Sequence, residues 1–281
     1  MIDERFKKQI YTWMDALKSD APLVHSITNY VTVNDCANAL LAIGARPVMS
    51  HDLREAAEIT RGSRALELNL GATEYIDAMF LSGQAAREIG IPLVIDPVGI
   101  SGSTFRRETL RRMIPELQPT AIRGNYSEIH ALLANAGTGT GVDAIVDAAH
   151  PALSGAELAD AMQAYLQKLD FPMVLVASGR EDIIVSRYAR CLVRNGSPRM
   201  SRVTGTGCMA TELIAAFQAV VCSEENAAFH ATVLATACMG IAGENAEEMV
   251  PRGSGSYHIA LMDALSTMTA EEIVNRISMA E

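Results

Sequence analysis

Three short segments of this sequence carry residues whose types and spacing can do chemistry. In Val203-Thr-Gly-Thr-Gly-Cys-Met-Ala-Thr-Glu-Leu-Ile-Ala-Ala-Phe217 a Gly-rich turn opens directly into an Ala-rich helical pattern. The first N–H groups of a helix lack intrahelical partners and its dipole is positive at that end. Gly205, Thr206, Gly207 and Cys208 therefore form a turn suited to an anion such as a phosphate. Cys208 has two readings there: a thiol whose pKa the same field lowers toward the thiolate, or a small apolar side chain packed at a tight turn. In Arg123-Gly-Asn-Tyr-Ser-Glu128, Asn125 and Glu128 have the spacing of a capping box, and the same pair can hold a hydrated Mg²⁺. Asp96 follows the apolar run Pro92-Leu-Val-Ile95 and precedes Pro97, so it either starts a turn or presents a carboxylate at a strand end.

These residues need elements to hold them. PLVHSITN from Pro22, RPVMS from Arg46, ALELNLG from Ala65, IPLVIDPVG from Ile91, PTAIRGN from Pro119 and FPMVLVASG from Phe171 read as buried strands. Helical patterns lie between them; Leu158, Ala161, Met162, Tyr165, Leu166 and Leu169 mark one face of a helix capped by Ser154. Strands buried on both faces and joined by helices imply a mostly parallel α/β sheet. Ligands of such sheets bind beyond the carboxyl ends of the strands, which selects Asn29, Met49, Gly71, Asp96, Arg123 to Asn125 and Ser178. From Asp182, two alternating runs around Arg187 to Ala189 predict an antiparallel hairpin at a sheet edge. From about Gly207 the chain reads helical almost to its end.

The 281 residues carry 23 Lys and Arg against 33 Asp and Glu, a formal charge of −10, and 49% are apolar, which excludes a disordered or fibrous chain. No Pro-, Gly- or Ser-rich linker divides the sequence, so one domain over 1–281 is expected. The acidic balance, without a concentrated basic patch, argues against a nucleic-acid partner. Five scattered cysteines (Cys36, Cys191, Cys208, Cys222, Cys238), with no C-x-x-C, suit a reducing cytoplasm. The first twenty residues read as an amphipathic helix rather than a targeting signal. Asn226 to Gly243 has the length of a marginal membrane span, but its Ala and Thr content and acidic flanks predict a buried helix. No Gly-Lys dipeptide exists, which removes a Walker-type loop. G-x-G-x-x-A occurs at Gly139–Ala144 and Gly205–Ala210, but neither copy sits between a strand and a helix with the acid a dinucleotide fold requires. Met49, His25 and Met162 read on residue type as core, His51 as a solvated loop residue, and Asn195-Gly-Ser197 as a turn.

Taken in order, PLVHSITNYVTVNDCANALLAIGARPVMS, LNLG, VIDPVG, AIRGNYSEI, VTGTGC and GSGSYHI resemble the hydroxyethylthiazole kinases of the ribokinase-like superfamily. In most superfamily relatives an Asp stands where this chain has Cys208. The resemblance implies a three-layer α/β sandwich and a homotrimer with the thiazole site near subunit interfaces. It also implies ATP-dependent phosphorylation, with Mg²⁺, of 5-(2-hydroxyethyl)-4-methylthiazole in thiamin salvage. Carried over by motif, Met49, Asn29 and Gly205 line the thiazole pocket, Arg123 and Ser178 contact ATP, and Asp96, Asn125 and Glu128 organise Mg²⁺. Gly205, Thr206, Gly207 and Cys208 form the phosphate loop, with Cys208 as candidate base. The alternatives are a hydroxymethylpyrimidine or pyridoxal kinase of the same superfamily, a lyase acting on hydrated nicotinamide nucleotides, and a non-catalytic binding module.

Overall fold

The computed structural model describes residues 3–134, 153–221 and 226–280. Gly139–Ala144, one of the two Gly-rich patterns, and Cys222 lie outside them. Six strands at the predicted runs, β1 (Leu23–Ile27), β2 (Arg46–Met49), β3 (Ala65–Asn69), β4 (Leu93–Asp96), β5 (Ala121–Asn125) and β6 (Val174–Ser178), pair in parallel in the order β2-β1-β3-β4-β5-β6. The predicted hairpin follows as β7 (Asp182–Val185) and β8 (Arg190–Val193), antiparallel to β6 and to each other. Its turn closes between Ser186 N and Ala189 O at 2.8 Å.

Side chains alternate across the sheet, and so do the two cores. Val24, Ala65, Val94 and Val176 point to a layer containing α1 (Glu4–Asp20), α2 (Val33–Ala42), α8 (Thr206–Gln218), α9 (Ala227–Met249), α10 (Ser254–Thr267) and α11 (Ala270–Arg276). Leu66, Leu68, Ile95 and Leu175 point to the opposite layer. It is built from α3 (Ala56–Arg61), α4 (Ile76–Ile89), α5 (Thr104–Leu117), α6 (Tyr126–Ala134) and α7 (Gly155–Leu166). The result is the expected three-layer sandwich. The chain starts α1 with Asp3 accepting from Phe6 N at 2.6 Å, and α7 with a Ser154–Glu157 capping box. The apolar helix α9 is mostly buried within its layer, as its Ala and Thr content requires.

From α8 to Arg276 the described chain is helical almost to its end, as expected, and Met279–Ala280 then forms β9, which pairs antiparallel with β8. Asn195, read as a turn residue, makes this possible: its Oδ1 accepts from Ser278 N at 2.7 Å and its Nδ2 donates to Arg276 O at 3.0 Å.

β1 is the strand at which the winding reverses, since β2 lies on one side of it and β3 on the other. Crevices at such switch points are where open α/β sheets bind ligands, and Asn29 and Asn69 emerge there.

Candidate active site

The helix α8 begins at Gly205, which caps it in the left-handed region with φ +84° and without a side-chain cap. Only glycine takes this conformation cheaply, and a Cβ there would also lie 2.8 Å from Thr32 Cγ2. The turn is therefore pressed against the start of α2, with the leading N–H groups of α8 free of any side-chain cap. Arg123, near the end of β5, reaches the same turn: a Cβ on Gly207 would lie 2.7 Å from its Nη1. Gly207→Ala displaces this flexible guanidinium rather than the backbone. We expect it to raise the KM for ATP several-fold with little change in melting temperature, which steady-state kinetics and a thermal melt check.

Beneath the turn lies a compact polar cluster. Asn69 Nδ2 donates to Asp96 Oδ2 at 2.8 Å and to Cys208 Sγ at 3.2 Å, while Asn29 Nδ2 donates to Asn69 Oδ1 at 3.2 Å and approaches Cys208 Sγ at 3.7 Å. Gly71 has room for no side chain, because a Cβ would meet Asn69 Oδ1 at 2.7 Å. Burial pushes the Asp96 carboxyl up to about 7 against the pull of Arg123, with Glu128 adding to the rise. Burial, reinforced by the Asp96 carboxylate, also pushes the Cys208 thiol well up. Of the two readings of Cys208, this favours the packed, neutral thiol. The field at a helix N-terminus and two amide donors favour a thiolate, but desolvation beside another anion outweighs them.

Asn125 and Glu128 form the capping box in full. Glu128 N donates to Asn125 Oδ1 at 2.9 Å and Asn125 N donates to Glu128 Oε2 at 2.8 Å. Glu128 Oε1 accepts from Gly99 N at 2.8 Å, which ties the Asp96–Pro97 turn to α6. Ser178 pairs with Asn125 in the β5–β6 register, so it belongs to the same sheet edge. Met49, at the end of β2, lies opposite Ser26 in register and is half-buried against the core. His25 is buried; its Nε2 contacts Ser50 O and its Nδ1 contacts Thr60 Oγ1, both at 2.8 Å, so it fixes the loop after Met49. Desolvation lowers its pKa, consistent with a neutral ring that donates from Nε2. His51 is exposed and stacks on Tyr75.

The structure thus brings Asn29, Asp96, Arg123 and the turn Gly205–Cys208 together, with Asn125, Glu128 and Ser178 on the adjoining edge. Asn69 was not among the residues singled out from the sequence, although it precedes Leu70-Gly71 in a segment that was. The strand-end argument selected the residue after the run, whereas the last residue of the strand points into the site.

A nine-stranded sheet of this order, covered on both faces, with a Gly-rich turn and an arginine at its carboxyl edge, is that of a ribokinase-like phosphotransferase. The fold recurs in the pyridoxal kinase from Staphylococcus aureus in complex with AMP-PCP and pyridoxal, with a TM-score of 0.57 and 14% identity over 80% of this chain and 88% of that one. A hydroxyethylthiazole kinase protein from Pyrococcus horikoshii OT3 superposes with a TM-score of 0.84 and 31% identity, over 97% of this chain and 98% of that one. A hydroxyethylthiazole kinase from Clostridium beijerinckii is 41% identical over 274 residues, 96% of each chain. Residues 14–271 match the hydroxyethylthiazole kinase family as a whole, and the chain belongs to that family.

Proposed function

We propose that this chain transfers the γ-phosphate of ATP to the primary alcohol of 5-(2-hydroxyethyl)-4-methylthiazole, giving the monophosphate used in thiamin salvage, with residues 1–281 working as one domain. The observation that carries the reading is the convergence of Arg123 and the α8 N-terminus on the Asn29–Asn69–Cys208–Asp96 cluster, in a chain of this family. Phosphoryl transfer spreads negative charge over the migrating group, so catalysis comes mainly from positioning and electrostatic stabilisation. The N–H groups of Gly205, Thr206, Gly207 and Cys208 receive the migrating phosphoryl, and Arg123 neutralises the polyphosphate. Ser178, on the same edge, serves the nucleotide. Asn29 and Met49 face the thiazole, with Gly205 beside the reacting hydroxyl.

The oxygen-rich set Asp96, Asn125 and Glu128 fits Mg²⁺ through its waters rather than as a closed chelate. Among the described residues no three Asp, Glu, His or Cys side chains converge on one point, and both Glu128 oxygens already accept backbone N–H groups. Mg²⁺ retains water and needs only one or two carboxylates. When bound, the ion supplies positive charge to the polyphosphate. Asp96 holds Asn69 in place and lies beside Arg123 whether or not the ion is present.

Cys208 orients rather than accepts a proton, because its thiol is held neutral. Cys208→Ser is expected to keep turnover within about tenfold, with the pH profile unmoved near neutrality. A profile that loses its limb with the sulfur would return the proton to Cys208.

Exposed apolar side chains support self-association at the site's edge, with the homotrimer that the family resemblance implies as the proposed assembly: Tyr30 (79% exposed) and Val31 directly follow Asn29, and Leu41 and Ile259 lie on the packed pair α2 and α10. Sedimentation equilibrium tests the assembly. A cytoplasmic location suits the free cysteines at 36, 191, 208 and 238. The activity is tested by ATP consumption with Mg²⁺, comparing the thiazole alcohol with hydroxymethylpyrimidine, pyridoxal and no acceptor. Thiazole-dependent monophosphate is the expected product, and turnover confined to another alcohol overturns the pocket assignment.

A further inference from the structure

Directly behind the cluster, two acidic side chains are buried where the sheet alternation calls for aliphatic ones. Glu67 sits between Leu66 and Leu68 on β3 and points to the α8 layer, as Ala65 does; Glu212 lies on α8 one turn after Cys208. Both are 0% exposed. Ser26 of β1 stands between them, its Oγ 2.9 Å from Glu67 Oε2 and 2.5 Å from Glu212 Oε1. A serine hydroxyl has one proton, so it donates to one carboxyl and must accept from the other, which requires that carboxyl to be protonated. The remaining oxygens, Glu67 Oε1 and Glu212 Oε2, are buried without a hydrogen bond among the described residues, which weighs further against two full negative charges here. Hydrogen-bond stoichiometry alone thus demands at least one bound proton.

We propose that Glu67, Ser26 and Glu212 form a proton-holding latch that fixes the phosphate-loop helix α8 to β1 and β3, making them positioning residues for phosphoryl transfer. The inference rests on the assignment of the α8 turn to the migrating phosphoryl. Its geometry explains why the site residues that follow β1 and end β3 stay in register with the turn. Ser26 is three residues before Asn29, Glu67 two before Asn69, and Glu212 four after Cys208, so the latch joins the three elements that carry the Asn29–Asn69–Cys208 contacts. The titratable groups facing it are Asp96 from β4, Cys208 from α8 and Cys36 from α2, none of which brings positive charge. Burial raises both glutamates, in agreement with the proton count.

The test separates the latch from the activity it serves. Infrared spectra of the wild type at pH 7 are expected to show a protonated-carboxyl C=O band that Glu67→Gln and Glu212→Gln each alter, over and above the part that Asp96→Asn removes, since the buried Asp96 carboxyl is itself partly protonated at that pH. In turnover, Glu212→Gln replaces the shared proton by an amide hydrogen and is expected to keep kcat within about threefold, whereas Glu212→Ala, leaving the Ser26–Glu67 pair with no tie to α8, loses more than about tenfold in kcat with a smaller change in KM for the thiazole. A wild type without the band, a band insensitive to both glutamine variants, or a Glu212→Gln enzyme as impaired as Glu212→Ala overturns the latch. A wild type with the band but no thiazole turnover overturns the proposed reaction instead.

Discussion

Asp96→Asn is expected to lower kcat/KM by about a hundredfold or more and to remove an acid limb of the pH profile centred near neutrality. The side chain is buried at the end of β4, holds Asn69 at 2.8 Å and lies beside Cys208 and Arg123, so one change strips charge from the centre of the cluster while preserving its shape. Burial holds this carboxyl at about 7 against an ordinary value of 3.8, which fixes the signs. Between these values the native chain keeps a proton that the unfolded chain has lost, so stability falls as pH rises through the window, by at most about 4 kcal/mol, and levels off above it. Activity runs the other way, since the carboxylate partner of Arg123 is present only above the native pKa. The amide has no proton to lose, so both the falling stability and the rising kcat/KM flatten in the variant. Urea melts at pH 5 and 8, alongside kinetics over the same range, check the two slopes; an unchanged acid limb in the variant assigns that limb to another group.

Why Asp96 was legible in the sequence, and Glu67 was not, follows from what each residue's neighbours announce. Asp96 ends an apolar run and is followed by Pro97, so its place at a carboxyl edge is written locally. The six parallel strands were legible for the same reason, each being a short apolar run closed by turn residues, and the layers follow from the handedness of crossovers. Glu67 lies inside such a run, and nothing local separates a buried acid from one at a solvated face. Its partner Ser26 is 41 residues away and Glu212 lies 186 from Ser26. The available signal was negative: Glu212 is the one charged residue in the helix Thr206–Gln218, and a lone carboxylate in such an apolar helix demands a partner. The Cys208 protonation state was open for a different reason. Helix position was readable, but the Asp96 carboxylate beside the thiol and the depth of burial are tertiary facts. β9 was missed because two residues carry no periodicity, and the bracket that holds them is Asn195, 83 residues before Ser278.

Gly205→Ala is the second large effect, expected to cost about a hundredfold or more in kcat by disordering the N–H groups that receive the migrating phosphoryl. Two penalties act together. A side chain at φ +84° is strained by about 1–2 kcal/mol, and the new methyl would sit 2.8 Å from Thr32 Cγ2, a β-branched carbon that cannot swing aside as a long side chain would. The two are separable because only the second involves Thr32. Thr32→Ser deletes the offending methyl and keeps the hydroxyl that the Cys36 thiol approaches at 3.8 Å, so on its own it is expected to be nearly silent. Combined with Gly205→Ala it is expected to restore about tenfold of the lost kcat, leaving the backbone strain and the tighter 3.2 Å contact with the retained Cβ at position 32 as the residue of the defect. Strict additivity of the two variants would show that the turn does not bear on α2. A Gly205→Ala enzyme with wild-type kcat would remove the phosphate-loop role from this turn altogether, since no L side chain adopts its geometry without cost.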